Sequence, residues 1–300
     1  MTVAQDTGSA PNRDLTNLKA ILYILASTGF FAVMFASGRF AGDTASPVQI
    51  IFLRYLGGFI TVVCIALAQR RSWASLQSQR KAYHAFRIMG GAFGGVALIF
   101  ANAHMPIVDA NAISQLSVVF LVGFGVVILG ERPTRWHLVA IGACVAGAVV
   151  IIGARGAFSN FRIDYMLPAS VALLGAVLLA VESLFIKLLT RTDDALTTLA
   201  HANLLGMLVL SVPAALTWQW GGPISLVWIG LGPLAILAQY CTIRGYMLAD
   251  IAVLAPIKYS ALVFAAAIGW VFFAEVPTIG IILGACLIAA GGVLLARLPR

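Results

Sequence analysis

A lysine and a proline interrupt a long apolar run near the carboxyl end of the chain. The run extends from Ile251 to Phe273, and both Pro256 and Lys258 lie in its first third. Proline cannot donate the helical hydrogen bond to the carbonyl four residues earlier, so Pro256 predicts a kinked helix or an exposed acceptor. The Lys258 ammonium can attract a carboxylate from a cavity, or its long side chain can carry the charge back to the edge of the apolar layer.

A stripe of polar side chains occurs 144 residues earlier in the sequence. Asn111, Ser114 and Gln115 are spaced i, i+3 and i+4, which places them on one face of a helix. The offset of 144 residues aligns Lys258 with Ser114 and Tyr259 with Gln115. The stripe can line a cavity or hydrogen-bond to a neighbouring helix, and the recurrence favours the cavity.

Other residues in apolar runs are candidates for contact with a solute or for structural roles. Gln239, Tyr240, Phe31 and Phe100 are the further candidates for solute contact. Glu182 either forms an ion pair with Lys187 or His201, or binds and releases a proton as part of the protein's function.

Glu131 and Glu275 recur in the sequence, each separated by one residue from a following Pro-Thr pair. A carboxylate at a helix end can accept hydrogen bonds from the free N–H groups of a helix start, so we expect a structural role for both.

The composition places these residues in a membrane. The 300 residues are 61% hydrophobic and 10% charged, with a mean hydropathy of +0.98, whereas about a quarter of the residues of a soluble domain are charged. A helix crosses the hydrocarbon core in about 20 residues. The sequence therefore predicts ten spans, at about 19–38, 48–68, 84–103, 107–129, 137–153, 165–188, 197–219, 225–247, 251–273 and 278–296.

The net charge of +8 follows the predicted topology, so it does not indicate nucleic-acid binding. We expect residues 1–18, which precede the first predicted span, to form a disordered tail. If the amino terminus is cytoplasmic, three of the 19 basic residues lie outside, Arg54 and Lys258 lie within spans, and fourteen lie on the cytoplasmic side, as the positive-inside rule expects. Those fourteen are Arg13, Lys19, Arg70, Arg71, Arg80, Lys81, Arg87, Arg132, Arg135, Lys187, Arg191, Arg244, Arg297 and Arg300. Both termini are then cytoplasmic.

The chain repeats itself in two halves. VFLVGFGVVILGERPT at 119–134 is similar to VFAAAIGWVFFAEVPT at 263–278, and IGACVAGAVVIIGA at 141–154 is similar to LGACLIAAGGVLLA at 283–296. Each half then has five spans, at 19–155 and 156–300. Because five is odd, the second half starts on the opposite side of the membrane, which predicts an inverted repeat around a central cavity, an arrangement typical of secondary transporters.

Two five-span halves that each end in (G/A)-E-x-P-T resemble the EamA-type transporters of the drug/metabolite transporter superfamily. The opening spans, GFFAVMFASGRFAGDTASPVQIIFLRYLGG at 29–58, are similar to that family as well, and within it the chain most resembles bacterial aromatic amino-acid exporters. The resemblance implies an all-α protein of the bacterial inner membrane that exports small amphipathic solutes, aromatic and other hydrophobic amino acids among them, by alternating access.

Two other function classes stay open at this point: an uncoupled uniporter or channel-like facilitator, and an intramembrane enzyme. The sequence contains no HExxH, GxSxG or GxxxxGK(S/T) motif, and its four cysteines have no metal-ligand spacing. We therefore expect no enzymatic activity, cofactor or metal. The expected partners are a small-molecule substrate and the lipid bilayer, and we expect a monomer.

Overall fold

A computed structural model describes residues 10–41, 44–104, 110, 113–131, 133–154, 166–220, 223–273 and 278–297, and these residues form helices and no strand. The first five helices are α1 (Ala10–Ala41), α2 (Pro47–Ala68), α3 (Lys81–His104), α4 (Leu116–Leu129) and α5 (Arg135–Ala154). The other five are α6 (Met166–Leu189), α7 (Ala195–Leu216), α8 (Leu231–Leu248), α9 (251–273) and α10 (Ile279–Arg297).

Seven of these helices are long and apolar enough to cross a membrane. They are α1, α2, α3, α6, α7, α8 with the short 3-10 segment before it, and α9. The described parts of α4, α5 and α10 contain shorter apolar stretches, at Leu116–Leu129, Arg135–Val150 and Ile282–Gly291. The protein is thus a helical membrane protein, and the count of ten spans stays a prediction. Helix α1 begins at Ala10, so it extends into the residues predicted to form a tail.

Capping side chains start two of the helices. Ser46 precedes α2 and accepts a hydrogen bond from Gln49 N at 3.2 Å, and Pro47 follows at the first helical position. Asp194 precedes α7 and accepts from Thr197 N at 2.8 Å. Each cap satisfies an N–H group that has no partner within its helix.

Two of the helices are irregular in their interior. In α3, residues Met89–Phe93 form a π-helical turn; such turns are frequent at functional sites. In α9, the α-helix of Ile251–Leu254 changes to a 3-10 helix at Ala255–Tyr259 and returns to α-helix at Ser260–Phe273. Pro256 lies at the start of the 3-10 stretch, where its missing N–H group is tolerated.

The main helix pairs join the first five helices to the last five. Helices α2 and α7 pack together, as do α5 and α10, α1 and α8, and α3 and α6. If each helix of the first half is matched with the helix five places later, α1 corresponds to α6, α3 to α8 and α4 to α9. The α1–α8 pair then corresponds to the α6–α3 pair, and the α1–α9 pair corresponds to the α6–α4 pair. All four of these pairs pack together. The α2–α7 and α5–α10 pairs map onto themselves.

The self-matching helices run antiparallel. Gln49 at the start of α2 exchanges two hydrogen bonds with the backbone of Gln219, beyond the end of α7. At the other end of this pair, Arg71 forms an ion pair with Asp194. We call this the basic end of the bundle, defined by Arg71 and by Arg70, Arg80, Lys81 and Arg191 near it.

Candidate functional site

A cavity lies between the two sets of helices. Its walls come from α1, α3 and the start of α4 in the first set, and from α6, α8 and α9 in the second. The polar or charged residues that line it are Ser27, Thr28, Asn102, Ser114, Gln115, Ser117, Glu182, Ser183, Gln239, Thr242 and Lys258. Its apolar walls include Phe31, Phe35, Leu98, Leu179 and Ile268.

Lys258 is the one cation among the described residues that line the cavity. Its ammonium donates a hydrogen bond to Ser183 Oγ at 2.7 Å and lies 5.9 Å from the centre of the Tyr246 ring. No carboxylate lies within ion-pair distance of it among the residues that the structure describes. An ammonium in apolar surroundings without a counter-ion attracts an anionic group of a solute.

Hydroxyl pairs tie α1 to the second set of helices beside Lys258. Ser27 Oγ lies 2.6 Å from Thr242 Oγ1, and Thr28 Oγ1 lies 2.8 Å from Ser260 Oγ. Because Thr28 donates to Leu25 O, its oxygen is the acceptor for Ser260. These pairs join α1 to α8 and to α9 on the side of the cavity that faces the basic end.

The polar groups lie at both ends of the cavity, with apolar side chains between them. Along α1 the lining changes from Ser27 and Thr28 to Phe31 and Phe35. The distance along the helix axis from Ser27 to Phe35 is about 12 Å, at 1.5 Å per residue. Ser114 and Gln115 directly precede α4, at the end of the cavity away from Lys258. The cavity therefore offers polar groups to the charged end of a solute and apolar walls to its ring or chain.

Glu182 lines the cavity next to Ser183 and lies against the π-helical turn of α3. A Cβ atom added to Gly91 would come within 2.7 Å of the Glu182 carboxyl carbon, so glycine at this position lets the carboxyl group lie directly against α3. Arg87, one turn earlier on α3, is fully buried, and Glu182 is the strongest opposite charge that acts on it. Arg54 and Tyr55 are the other charged or titratable groups that act on Arg87.

Arg87 also connects to the cavity through Gln239. The guanidinium donates to Thr198 O at 2.7 Å and to Gln239 Oε1 at 3.3 Å. A buried guanidinium needs such acceptors, because it has five N–H donors and a high cost of desolvation.

The structure brings six of the predicted site residues together in the cavity: Lys258, Ser114, Gln115, Gln239, Phe31 and Glu182. Three other predicted residues lie elsewhere. Tyr259 is 3% exposed and packs in the core, because the 3-10 turn directs it away from its neighbour Lys258. Tyr240 is 39% exposed on the outer surface, about 100° around α8 from Gln239. Phe100 stacks on His104 outside the lining.

Two further predicted residues, Asn111 and Glu275, lie outside the described residues. Glu182 and Lys187 do not form the ion pair considered from the sequence. Lys187 instead donates to Tyr246 O at 2.8 Å and Ala249 O at 2.6 Å, and lies 3.8 Å from Asp250.

Glu131 caps a helix other than the one that follows it. Its two carboxylate oxygens accept hydrogen bonds from Ile251 N at 3.0 Å and Ala252 N at 2.9 Å. These N–H groups open α9, so the end of α4 is joined to the start of α9 at the basic end. The favourable interaction of an anion with a helix amino terminus explains the arrangement.

Sequence reasoning missed Arg87, Ser27, Thr28 and Ser183 as parts of the site. Arg87 falls among the cytoplasmic cations by position, although it lies six residues after Lys81, where α3 begins. That distance along a helix is about 9 Å, enough to bury a guanidinium. The hydroxyl residues carried no signal of their own, because serine and threonine are common in apolar helices.

The described residues contain no group of three or more His, Cys, Asp or Glu side chains that could hold a metal ion. What the described cavity offers is an ammonium, a carboxylate, amides and hydroxyls on apolar walls. Such groups bind and orient a solute through non-covalent contacts.

A bundle of apolar helices around a cavity lined by both halves defines a class, the polytopic helical membrane proteins, of which transporters are typical. The particular family follows from comparison with known proteins. A model of the EamA-like transporter family matches residues 18–153 and 166–297. The chain belongs to this family, as its two-part sequence pattern indicates, and the two matched segments correspond to two repeats.

Similar proteins include transporters for different solutes. The pseudopaline exporter CntI of Pseudomonas aeruginosa is 30% identical over 96% of this chain and 99% of its own. A riboflavin transporter of Brucella anthropi is 27% identical over 91% of this chain and 97% of its own. The aromatic amino acid exporter YddG of Ancylobacter novellus is 27% identical over 70% of this chain and 74% of its own.

A crystal structure superposes on 96% of this chain and 100% of its own, with a TM-score of 0.78. At 21% identity it shows the fold alone. The seven apolar helices and the bacterial transporter relatives together support an integral protein of the inner membrane.

Proposed function

We propose that this protein is a secondary exporter of small amphipathic organic solutes that carry a carboxylate, with aromatic and other hydrophobic amino acids as the principal class. The observation that supports this proposal best is the Lys258 ammonium in the cavity. It donates a hydrogen bond to Ser183 and has no carboxylate partner among the described residues. A solute carboxylate would bind this ammonium, and its ring would pack against Phe31 and Phe35.

The proposed mechanism is alternating access by two inverted five-helix repeats. The main helix pairs are unchanged when the two halves are exchanged, and the self-matching pair α2–α7 is antiparallel. A two-fold axis that relates antiparallel helices is perpendicular to them and hence lies in the membrane plane. Exchange of the two half conformations would then move the opening of the cavity from one face to the other.

The structure has contacts that close the basic end. Lys187 bonds to the end of α8, Glu131 bonds to the start of α9, and hydroxyl pairs tie α1 to α8 and α9. By the positive-inside rule we place this end, with both chain termini, in the cytoplasm. The conformation is then closed toward the cytoplasm.

We further propose that Glu182 couples export to a proton gradient. Its carboxylate lines the cavity next to Ser183, which holds Lys258, and it is subject to the charge of Arg87. In vesicles with an imposed pH gradient, we expect wild-type protein to drive uphill flux and Glu182→Gln to support only downhill counterflow. Equal responses of both proteins to the gradient would contradict the coupling role and leave an uncoupled facilitator.

The proposed substrate class is tested by a competition screen on reconstituted protein. We expect phenylalanine, tyrosine and tryptophan to compete for counterflow of labelled phenylalanine, and sugars and nucleotides to have no effect. Competition by sugars or nucleotides alone would contradict the proposal.

A further inference from the structure

Arg87 lies outside the cavity lining but contacts one residue of that lining. It is fully buried, and its Nη2 lies 3.3 Å from Gln239 Oε1. Gln239, 4% exposed, lines the cavity.

The chemistry of the two side chains sets the direction of the Gln239 amide. A guanidinium has donors only, whereas an amide has one acceptor oxygen and one donor nitrogen. The oxygen of Gln239 must therefore face Arg87. The reversed amide would oppose two donors and leave Nη2, in addition to the already unpartnered Nε, without an acceptor among the described residues, which is costly. The Nε2 group, with its two N–H donors, is then left for the cavity.

We propose that Arg87 is a positioning residue for solute recognition: it orients Gln239 so that the amide N–H groups, together with the Lys258 ammonium, form a donor set for a solute carboxylate. This inference rests on the proposed function and extends it by naming how the site selects for a carboxylate. Both donor groups belong to the polar part of the cavity that Ser27, Thr242 and Ser183 also line.

The neighbouring charges are consistent with this assignment. Glu182 acts on Arg87 from α6, and Arg54 and Tyr55 act on it from α2. Glu182 attracts Arg87 but cannot replace Gln239, because a carboxylate has no N–H groups to offer the cavity. The donor character at this point of the site thus depends on the Arg87–Gln239 contact.

The first test replaces the donor nitrogen Nε2 of Gln239 by an acceptor oxygen. Gln239→Glu keeps an oxygen for Arg87, with a compensating ion pair, and replaces the N–H donors by a second oxygen. We measure the binding of phenylalanine and of phenethylamine, which lacks the carboxylate, to purified protein. We expect the ratio of the two affinities to shift at least tenfold toward the amine. The matched control Gln115→Glu adds the same charge at the other end of the cavity and should shift the ratio less than threefold.

The second test separates positioning from general stability. Arg87→Met should lower the ratio of phenylalanine affinity to phenethylamine affinity about tenfold in the wild-type background and much less in a Gln239→Met background, because the positioning role of Arg87 requires Gln239. Arg87→Lys keeps a side chain that has hydrogen-bond donors only, so its ratio of phenylalanine affinity to phenethylamine affinity should be close to that of the wild-type protein. Thermal unfolding of each variant is measured in parallel. If Arg87→Met fails to fold, Arg87→Gln is compared in the same two backgrounds in its place.

The outcomes distinguish this inference from the proposed function. If wild-type protein binds phenylalanine but Gln239→Glu and Gln115→Glu shift the ratio equally, the positioning role is wrong and the proposed function stands. The positioning role is also wrong if Arg87→Met acts equally in both backgrounds. If wild-type protein binds neither ligand, the proposed function is contradicted and the inference falls with it.

Discussion

At the scale of single residues, Lys258 combines two properties that a binding site needs. The Ser183 hydroxyl fixes its position at 2.7 Å, and the cavity leaves its charge available to a ligand. A hydrogen bond to a charged group contributes about 1.5–3 kcal/mol, which corresponds to roughly 10- to 100-fold in affinity.

Lys258→Ala should accordingly lower the affinity for phenylalanine by about 10- to 100-fold while the protein remains folded. Binding to purified protein and thermal unfolding provide the two readouts. Lys19→Ala, on the exposed side of α1, is the control and should change neither. Unchanged transport by Lys258→Ala in reconstituted vesicles would remove this lysine from the site.

Asp194 provides a pH-dependent contribution to stability at the basic end. Burial acts to raise the pKa of its carboxyl, but the hydrogen bonds from Thr197 and from Arg71, with the charge of Arg71, outweigh burial and hold the pKa below its usual range. A carboxyl with a lower pKa in the folded state stabilises the fold above its ordinary pKa of about 3.9, and this stabilisation is lost as the pH falls through the lower, folded value.

The melting temperature of wild-type protein should therefore exceed that of Asp194→Asn at neutral pH, and the difference should decline below about pH 4. Because the Asp194 side chain is 43% exposed, we expect a modest difference that salt reduces. A difference that grows as the pH falls would contradict the assignment.

At the scale of elements, the two irregular segments are the parts of the helices that shape the site. The π-helical turn of α3 sets Gly91 against Glu182, and the 3-10 turn of α9 carries Lys258. Pro256 signalled the irregularity of α9 in the sequence, since proline has a known effect on helices. The π-helical turn in α3 had no such signal, because glycines in membrane helices more often mark close packing.

The α4–α9 junction depends on Glu131. Glu131→Ala removes both acceptors of the α9 amino terminus and should lower the free energy of unfolding by about 1–2 kcal/mol. Thermal unfolding in detergent measures the loss, and faster hydrogen exchange of the Ile251 and Ala252 amides localises it. Glu131→Gln keeps one acceptor oxygen, so its free energy of unfolding should lie between those of the wild-type protein and Glu131→Ala. Wild-type exchange rates in Glu131→Ala would mean that the cap does not hold α9.

At the scale of the whole molecule, the sequence predicted the helical class, the family and the positions of most helices, because apolar length and the two-part pattern are carried by many residues. Six of the residues that it proposed line the cavity, and four of them, Lys258, Glu182, Gln115 and Gln239, stood out from apolar neighbours as a charge or an amide. It misplaced Tyr240 and Tyr259 because neighbours on a helix face different directions. It missed Arg87 because its burial depends on acceptors from α7 and α8 that are distant in sequence.

The proposed transport cycle requires that one cavity be reached from both sides of the membrane. A cysteine at Ala32, which lines the cavity, tests this requirement in a background without the four native cysteines. In right-side-out and in inverted vesicles, an impermeant maleimide should label Ala32→Cys, and phenylalanine should slow the labelling in both. Labelling from only one side, or rates that phenylalanine does not change, would contradict alternating access through this cavity.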